Sequence, residues 1–253
     1  MIAYIRLVLK ITSYWAPIIG SFVGAFYFLV CSKFGVSTTK AVYRGNTFRF
    51  RSCDMPAIDE TLIRGEYQFI TPVFMSVDEP LVLDVGMNIG DFSIFAMAVN
   101  PNCLIVGVEA DATTAALAVS NQPSQANCLW TVHHRAAWRN NDQIYLETGP
   151  VSVSNRVSEN GRIPVQGIDL ATLWSLLPRE EVDVMKIDVE GAEEEFLFSQ
   201  PELLDKVKHL IIEIHPLACS EARIRSLLKQ HFSCVEDISG RISSKSLLYC
   251  YRA

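Results

Sequence analysis

Leu81-Val-Leu-Asp84-Val-Gly86-Met-Asn88-Ile-Gly90-Asp91-Phe-Ser decides the fold. A short apolar, β-branched run delivers a carboxylate, meets glycine and passes into a helical pattern. Further on, Val184-Met-Lys186-Ile-Asp188-Val-Glu190-Gly191-Ala-Glu193 repeats the design. Buried parallel strands read as continuous apolar runs, and α/β folds bind ligands at the carboxyl edge of such strands. Glycines at 86 and 90 permit a tight turn and a close backbone approach, and the following helix offers free N–H groups. Two such turns in a strand–helix alternation point to a small-molecule site.

At 253 residues, with 49% hydrophobic and 20% charged residues, the chain suits one large globular α/β domain. Its seven cysteines are scattered and contain no C-x-x-C pair, which argues against a disulfide framework and for a reducing compartment. The net charge of −6 is unevenly spread. Met1 to Cys53 holds seven basic residues and no acid, and the remainder holds 15 Lys+Arg against 28 Asp+Glu. So acidic a body, without a basic stripe, is not a nucleic-acid binder.

The basic N-terminal stretch encloses Ile11–Ser32, a run of 22 uncharged residues, and a bilayer-spanning helix needs roughly 20. Residues 1–40 are therefore read as an apolar basic segment ahead of a domain at 41–253, with membrane association through residues 1–35. The basic residues after the run place the body on the cytoplasmic side. The competing reading is an apolar helix packed on the domain, since Gly20 and Gly24 form a G-x-x-x-G spacing suited to close packing.

The pattern predicts one strand over Ala41–Phe50, a short helix near Met55–Arg64 and a loop through Pro72 and Pro80. Strand and helix then alternate: 81–86 with 91–99, 104–109 with 112–120, and a strand at 129–134. Residues 140–168 read as a polar excursion with strands at Gln143–Glu147 and Arg162–Gln166. Helix 169–177, strand 182–187, helix 191–199, strand 209–214 and helix 220–230 follow, then strands at 232–236 and 246–251.

A dinucleotide fingerprint would place glycine at 88, where the chain has Asn88. Glu109 ends the second strand at the distance from the turn expected of an acid that grips a ribose. Asp84 stands where a carboxylate could accept from an ammonium group. An adenosine ligand carrying an amino acid, such as S-adenosylmethionine, satisfies both.

Leu83-Asp84-Val-Gly86-Met-Asn88-Ile-Gly90, Val108-Glu109-Ala-Asp111, Arg135-Ala136-Ala-Trp138 and Lys186-Ile-Asp188-Val-Glu190-Gly191-Ala-Glu193 together resemble the FkbM family of S-adenosylmethionine-dependent methyltransferases. The resemblance implies a Rossmann-like class I methyltransferase: an α/β fold with a mostly parallel seven-stranded sheet, helices on both faces and a reversed last strand. It implies Asp84, Gly86 and Asn88 at the methionine end of the cofactor, Glu109 at the ribose and residues beside Ala136 at the adenine, with Gly90 and Ala110 also among the cofactor-binding residues. It also implies O-methylation of sugars or natural products. Met87 departs from the small residue usual there, which could crowd the turn.

Methyl transfer to a hydroxyl needs a positioned base. Asp188, at a strand end, is the first choice. Glu190 is the second, with a role as the N-terminal acid of the next helix as its rival. Glu213 and His215 end the next strand in the same way. With Asp188 they form an oxygen and nitrogen set of which a divalent metal is the lesser reading and acceptor hydrogen bonding the greater. Lys186 could pair with one of these acids, Arg49 and Arg51 could meet an anionic acceptor, and Glu66-Tyr67 could cover the cofactor. The sequence thus reads as an O-methyltransferase acting on a small-molecule or lipid-linked glycan hydroxyl. A nicotinamide-dependent oxidoreductase and a non-catalytic scaffold are the alternatives.

Overall fold

Leu81–Val85 (β3) is buried at every residue, as a strand covered on both faces must be. The computed structural model describes residues 2–35, 38–123, 129–147, 156–157, 161–239 and 246–252; Cys128 and most of the excursion's centre lie outside these. Beside β3 run Leu104–Glu109 (β4), Trp130–His134 (β5), Val182–Ile187 (β10) and Val207–Ile214 (β11), all parallel. Ser246–Tyr251 (β13) pairs antiparallel with β11 and with Cys234–Asp237 (β12), giving the order β12-β13-β11-β10-β3-β4-β5. This is the seven-stranded, mostly parallel sheet with one reversed strand that the sequence implied.

Alternation along the strands splits the core into two layers. Val82, Ile105 and Ile211 face one side with Phe92 and Phe95 of helix α5 (Asp91–Val99). Leu83, Val106, Leu210 and Ile212 face the other, under Leu173 and Leu228. The helices at 91–99 and 112–120 lie where the strand–helix alternation put them.

Other elements differ from expectation for local reasons. The single strand predicted at Ala41–Phe50 is a hairpin of Thr38–Tyr43 (β1) and Asn46–Arg51 (β2). Arg44 (φ 47°) and Gly45 (φ 90°) both have positive φ, the signature of a two-residue type I′ turn. Pro72 opens a helix, Thr71–Ser76, rather than sitting in a loop, because proline's missing N–H costs nothing in a first turn. Met55–Ile58 runs into a wider turn at Asp59–Ile63, where the Arg64 N–H donates to the Asp59 carbonyl. Such π-turns often mark functional sites. The excursion forms a second sheet of Ala136–Ala137 (β6), Gln143–Glu147 (β7), Arg156–Val157 (β8) and Ile163–Ile168 (β9).

The N-terminal run is two helices rather than one, α1 (Ile2–Ile19) and α2 (Phe22–Cys31). The Ser21 hydroxyl caps α2 by accepting from the Gly24 N–H at 3.1 Å. Among the described residues no single helix is long and apolar enough to cross a membrane, although the bent pair Leu9–Ile19 and Phe22–Cys31 passes on length and composition with a turn of 115°. One face of the pair packs on the domain: Trp15 stacks on Phe50 at 5.8 Å between centroids, and Phe28 meets the same ring edge-on at 5.2 Å.

Phe50 is fully buried and joins the helix pair to the β1–β2 hairpin. Phe50→Ala is expected to cost about 3–5 kcal/mol, and a chain starting at Lys40 should aggregate because it bares Phe48 and Phe50. Chemical denaturation and light scattering check both; a soluble, equally stable shortened chain would show the packing to be inconsequential.

Candidate functional site

A cleft opens at the carboxyl ends of β3, β4 and β10, lined by Gly86, Asn88, Glu109, Lys186, Asp188 and Glu190 among others. This is the edge at which open α/β sheets bind ligands. Of the residues singled out from the sequence, Gly86, Asn88, Glu109, Ala110, Ala136, Asp188 and Glu190 line it. Asp84, Gly90 and His215 stand behind the lining.

Lys186 anchors the arrangement. It faces Asp84 in the β3–β10 register and its ammonium is almost wholly buried. Lys186 Nζ donates to the Gly86 carbonyl at 2.7 Å and lies 3.7 Å from both Asp84 Oδ1 and Asp188 Oδ2. Burial alone would lower its pKa, but Asp188 and Asp84 hold it well above the usual lysine range. The expected lysine–acid pairing is thus a bridge between two strand ends.

Asp84 serves that bridge rather than the cleft surface. Its carboxylate is fully buried, Oδ2 accepts from the Ser93 hydroxyl at 2.6 Å, and burial raises its pKa. Met87 does not crowd the turn: its side chain turns into the core, fully buried beside Gly107. Gly86 cannot be replaced, because with φ 76° a Cβ would lie 1.8 Å from the Asp188 carbonyl oxygen. Asn88 takes φ 52°, and both polar atoms of its side chain are buried without a partner in the chain.

Glu109 is clamped by two backbone donors. Asn88 N–H reaches Oε2 at 2.9 Å and Asp111 N–H reaches Oε1 at 2.8 Å. Burial outweighs them and pushes its pKa up to about 7. Asp91, to which the sequence reading gave no role, also lines the cleft, accepts from Thr61 Oγ1 at 2.7 Å and is pushed by burial to about 6. Thr61 and Glu60 arrive from the π-turn, and Glu66 and Tyr67 form a further, buried wall. Leu146 and Val157 contribute an apolar wall from the second sheet beside Ala136. The polarity of the surrounding excursion hid these two in the sequence.

Asp188 follows β10. Its Oδ2 faces Lys186, and its Oδ1 is buried with no hydrogen-bond partner in the chain. Glu190 does not open the next helix. It sits in a left-handed turn (φ 53°), and Glu193, Glu194 and Glu195 fill the first turn of that helix, α8 (Glu193–Leu197). Glu190 instead reaches His215 Nε2 at 3.2 Å. Fully buried Glu193 takes the other ring nitrogen, Nδ1, at 2.7 Å and accepts from the Gly191 N–H. Burial pulls the imidazole down, but its bonds to Glu190 and Glu193 raise it to about 11. His215 is therefore an imidazolium with both nitrogens donating. Ligand atoms of Asp188, Glu213 and His215 lie within 4.8 Å of one another, so these three residues could surround a cation. In the imidazolium form His215 offers no lone pair to a metal. Arg51 is committed elsewhere, with two guanidinium nitrogens on Asp54 and one on the Thr114 hydroxyl.

The family model of the methyltransferase FkbM domain matches residues 84–233, more than half of the chain. No curated protein matches the chain. Among solved structures, precorrin-6y C5,15-methyltransferase from Geobacter metallireducens is 14% identical, with 74% of this chain and 89% of that one covered at a TM-score of 0.44. Magnesium protoporphyrin IX methyltransferase from Synechocystis with bound SAM is 15% identical, covering 73% and 77%, again at 0.44. Human methyltransferase-like protein 13 in complex with SAH is 16% identical over 72% and 76%, at 0.44.

Glu109 binds its proton in the folded chain up to about 7, against an ordinary value of 4.5. Its ionisation therefore costs stability, and the cost sets in above about pH 4.5 and is complete above about pH 7, amounting to about 3 kcal/mol. Glu109→Gln is expected to gain stability relative to wild type at about pH 8 and not at about pH 4.5. Urea unfolding at both pH values checks this, and an equal difference at the two would refute the buried-charge account.

Proposed function

We propose that this chain, which belongs to the FkbM family of S-adenosylmethionine-dependent methyltransferases, methylates a hydroxyl of a glycan, a glycolipid or a related polyhydroxylated metabolite, with Asp188 as the base. The observation that carries the reading is the buried, unpartnered Oδ1 of Asp188 at the cleft. A buried carboxylate oxygen without a donor costs about 1–3 kcal/mol, and a hydroxyl approaching it would repay that cost.

The residues present fit the cofactor. The Gly86 turn admits close backbone approach, the orphaned amide of Asn88 offers both a donor and an acceptor, and the Glu109 carboxylate suits a ribose diol. Ala136, Leu146 and Val157 give an apolar flank for an adenine ring. Asp91, Asp188, Glu190, Glu213 and Glu66 line the cleft against two cations, Arg135 and buried Lys186, and this acidic excess suits a cationic sulfonium.

When bound, the cofactor supplies a methyl group activated by the sulfonium. The chain's own residues do the rest. Lys186 fixes the Asp188 carboxylate through one oxygen and leaves the other for the acceptor proton. His215, held as an imidazolium by Glu193, orients Glu190 at the cleft wall. A cleft rich in carboxylate acceptors favours a ligand rich in hydroxyl donors, which supports a sugar-like acceptor. Hydride transfer, the alternative raised by the first turn, falls with the family assignment.

Asp188→Asn keeps the shape and removes the base. It is expected to bind S-adenosylhomocysteine within a few-fold of wild type while kcat falls by a factor on the order of 100 or more. Glu109→Ala is expected instead to weaken that binding by about 1–3 kcal/mol. Calorimetry with S-adenosylhomocysteine, and turnover of labelled cofactor on saccharide and glycolipid acceptors, separate the two effects. Wild-type turnover by Asp188→Asn would remove Asp188 from the chemistry.

A further inference from the structure

We propose that the outer face of the N-terminal helix pair beds in the headgroup region of an anionic lipid bilayer, lying along the surface without crossing it. Helix α2 is apolar all round, whereas a surface helix of a globular protein carries one apolar stripe. Ala25 and Phe28 use its inner face. Phe22, Val23, Phe26, Tyr27 and Val30 remain on the outside, with Val23 76% and Tyr27 70% exposed. Leu9 of α1 and the 88% exposed Phe34 are exposed as well, while Leu7, Ile11 and Tyr14 of α1 border a groove against Met55 and Pro56. A helix face this rich in exposed apolar side chains marks an interaction surface.

Charge identifies the occupant. Arg6, Lys10, Lys33, Lys40, Arg44 and Arg49 are exposed on the pair and the adjoining hairpin, and no acid occurs before Asp54. Apolar side chains set among cations, on helices and a hairpin that carry no acid of their own, suit an anionic lipid surface. A second copy would bring like charge against like charge on the same patch. Geometry fixes the mode. Ten helical residues rise about 15 Å against a hydrocarbon core of about 30 Å, and the pair turns by 115° where a span would continue.

The surface is coupled to the site. Met55, Pro56 and Asp59 border an apolar groove against α1, where Asp59 accepts from the Tyr14 hydroxyl at 2.6 Å. Ala57, Glu60 and Thr61 of the same segment wall the cleft. A bilayer under the hairpin thus lies one short segment from the reacting groups. The proposal itself does not depend on which acceptor is methylated.

The full chain should float with phosphatidylcholine vesicles containing phosphatidylglycerol, and binding should fall on the order of tenfold without the anionic lipid or in high salt. Val23→Glu/Tyr27→Glu should keep its thermal unfolding profile, since both sites are exposed, and lose vesicle binding. Vesicle-bound protein should label equally at Lys10 and Lys33 with a membrane-impermeant acylating reagent, read by peptide mapping. Failure of the parent chain to bind these vesicles would overturn the proposal, as would unchanged binding by the double variant. Protection of Lys10 alone would reveal a span. Self-association removed by the double variant, in a parent that ignores lipid, would assign the patch to a second copy instead.

Discussion

A single buried ammonium, Lys186, holds the functional edge of this protein together. It lies opposite Asp84 in the register of the two central strands, binds the carbonyl of the Gly86 turn and faces Asp188. Removing such a charge from water is expensive, and its attraction to two carboxylates seldom returns more than the loss. The benefit is positional. Turn, strand end and candidate base are fixed relative to one another by one side chain that cannot move without leaving two acids unpaired.

The acids around it outnumber it. Asp91 and Glu109 retain protons to about 6 and about 7 because burial is offset only in part by hydroxyl and backbone donors. A cleft of this kind stores electrostatic strain in its ligand-free form, which is the usual relation between stability and function at sites. A cation entering it would relieve that strain, so the same groups that weaken the fold strengthen binding. His215 shows the opposite balance: two carboxylates outweigh its burial and keep it charged. The Asp91 and Glu109 carboxyls and the His215 ring, all near one sheet edge, are thereby set to different protonation states by their neighbours alone.

The N-terminal helices add a second constraint. Phe50 receives Trp15 and Phe28 on the domain side, yet α2 has apolar residues to spare on the other. A helix that meets its partner with half of its circumference is anchored by packing and remains free to dock with the rest. The alternatives raised by the uncharged run, packing or membrane contact, are therefore compatible once the run is broken at Gly20-Ser21.

Local chemistry wrote much of this into the chain. Apolar runs closed by Asp84, Glu109 and Asp188 announce parallel strands that end at a ligand edge, because burial on both faces keeps most positions apolar until close to the strand's carboxyl end. The positive-φ turn at Gly86 and the helices at 91–99 and 112–120 that follow the strands are likewise decided within a few residues. Tertiary structure alone decided the pairings: Lys186 with Asp84, Glu193 with His215, and Leu146 and Val157 as a wall of the cleft. It also decided that Met87 turns inward and that Asp84 supports the site from behind. Strand register and the path of the chain between distant segments fix those contacts, and neither leaves a signature in the spacing of neighbouring residues.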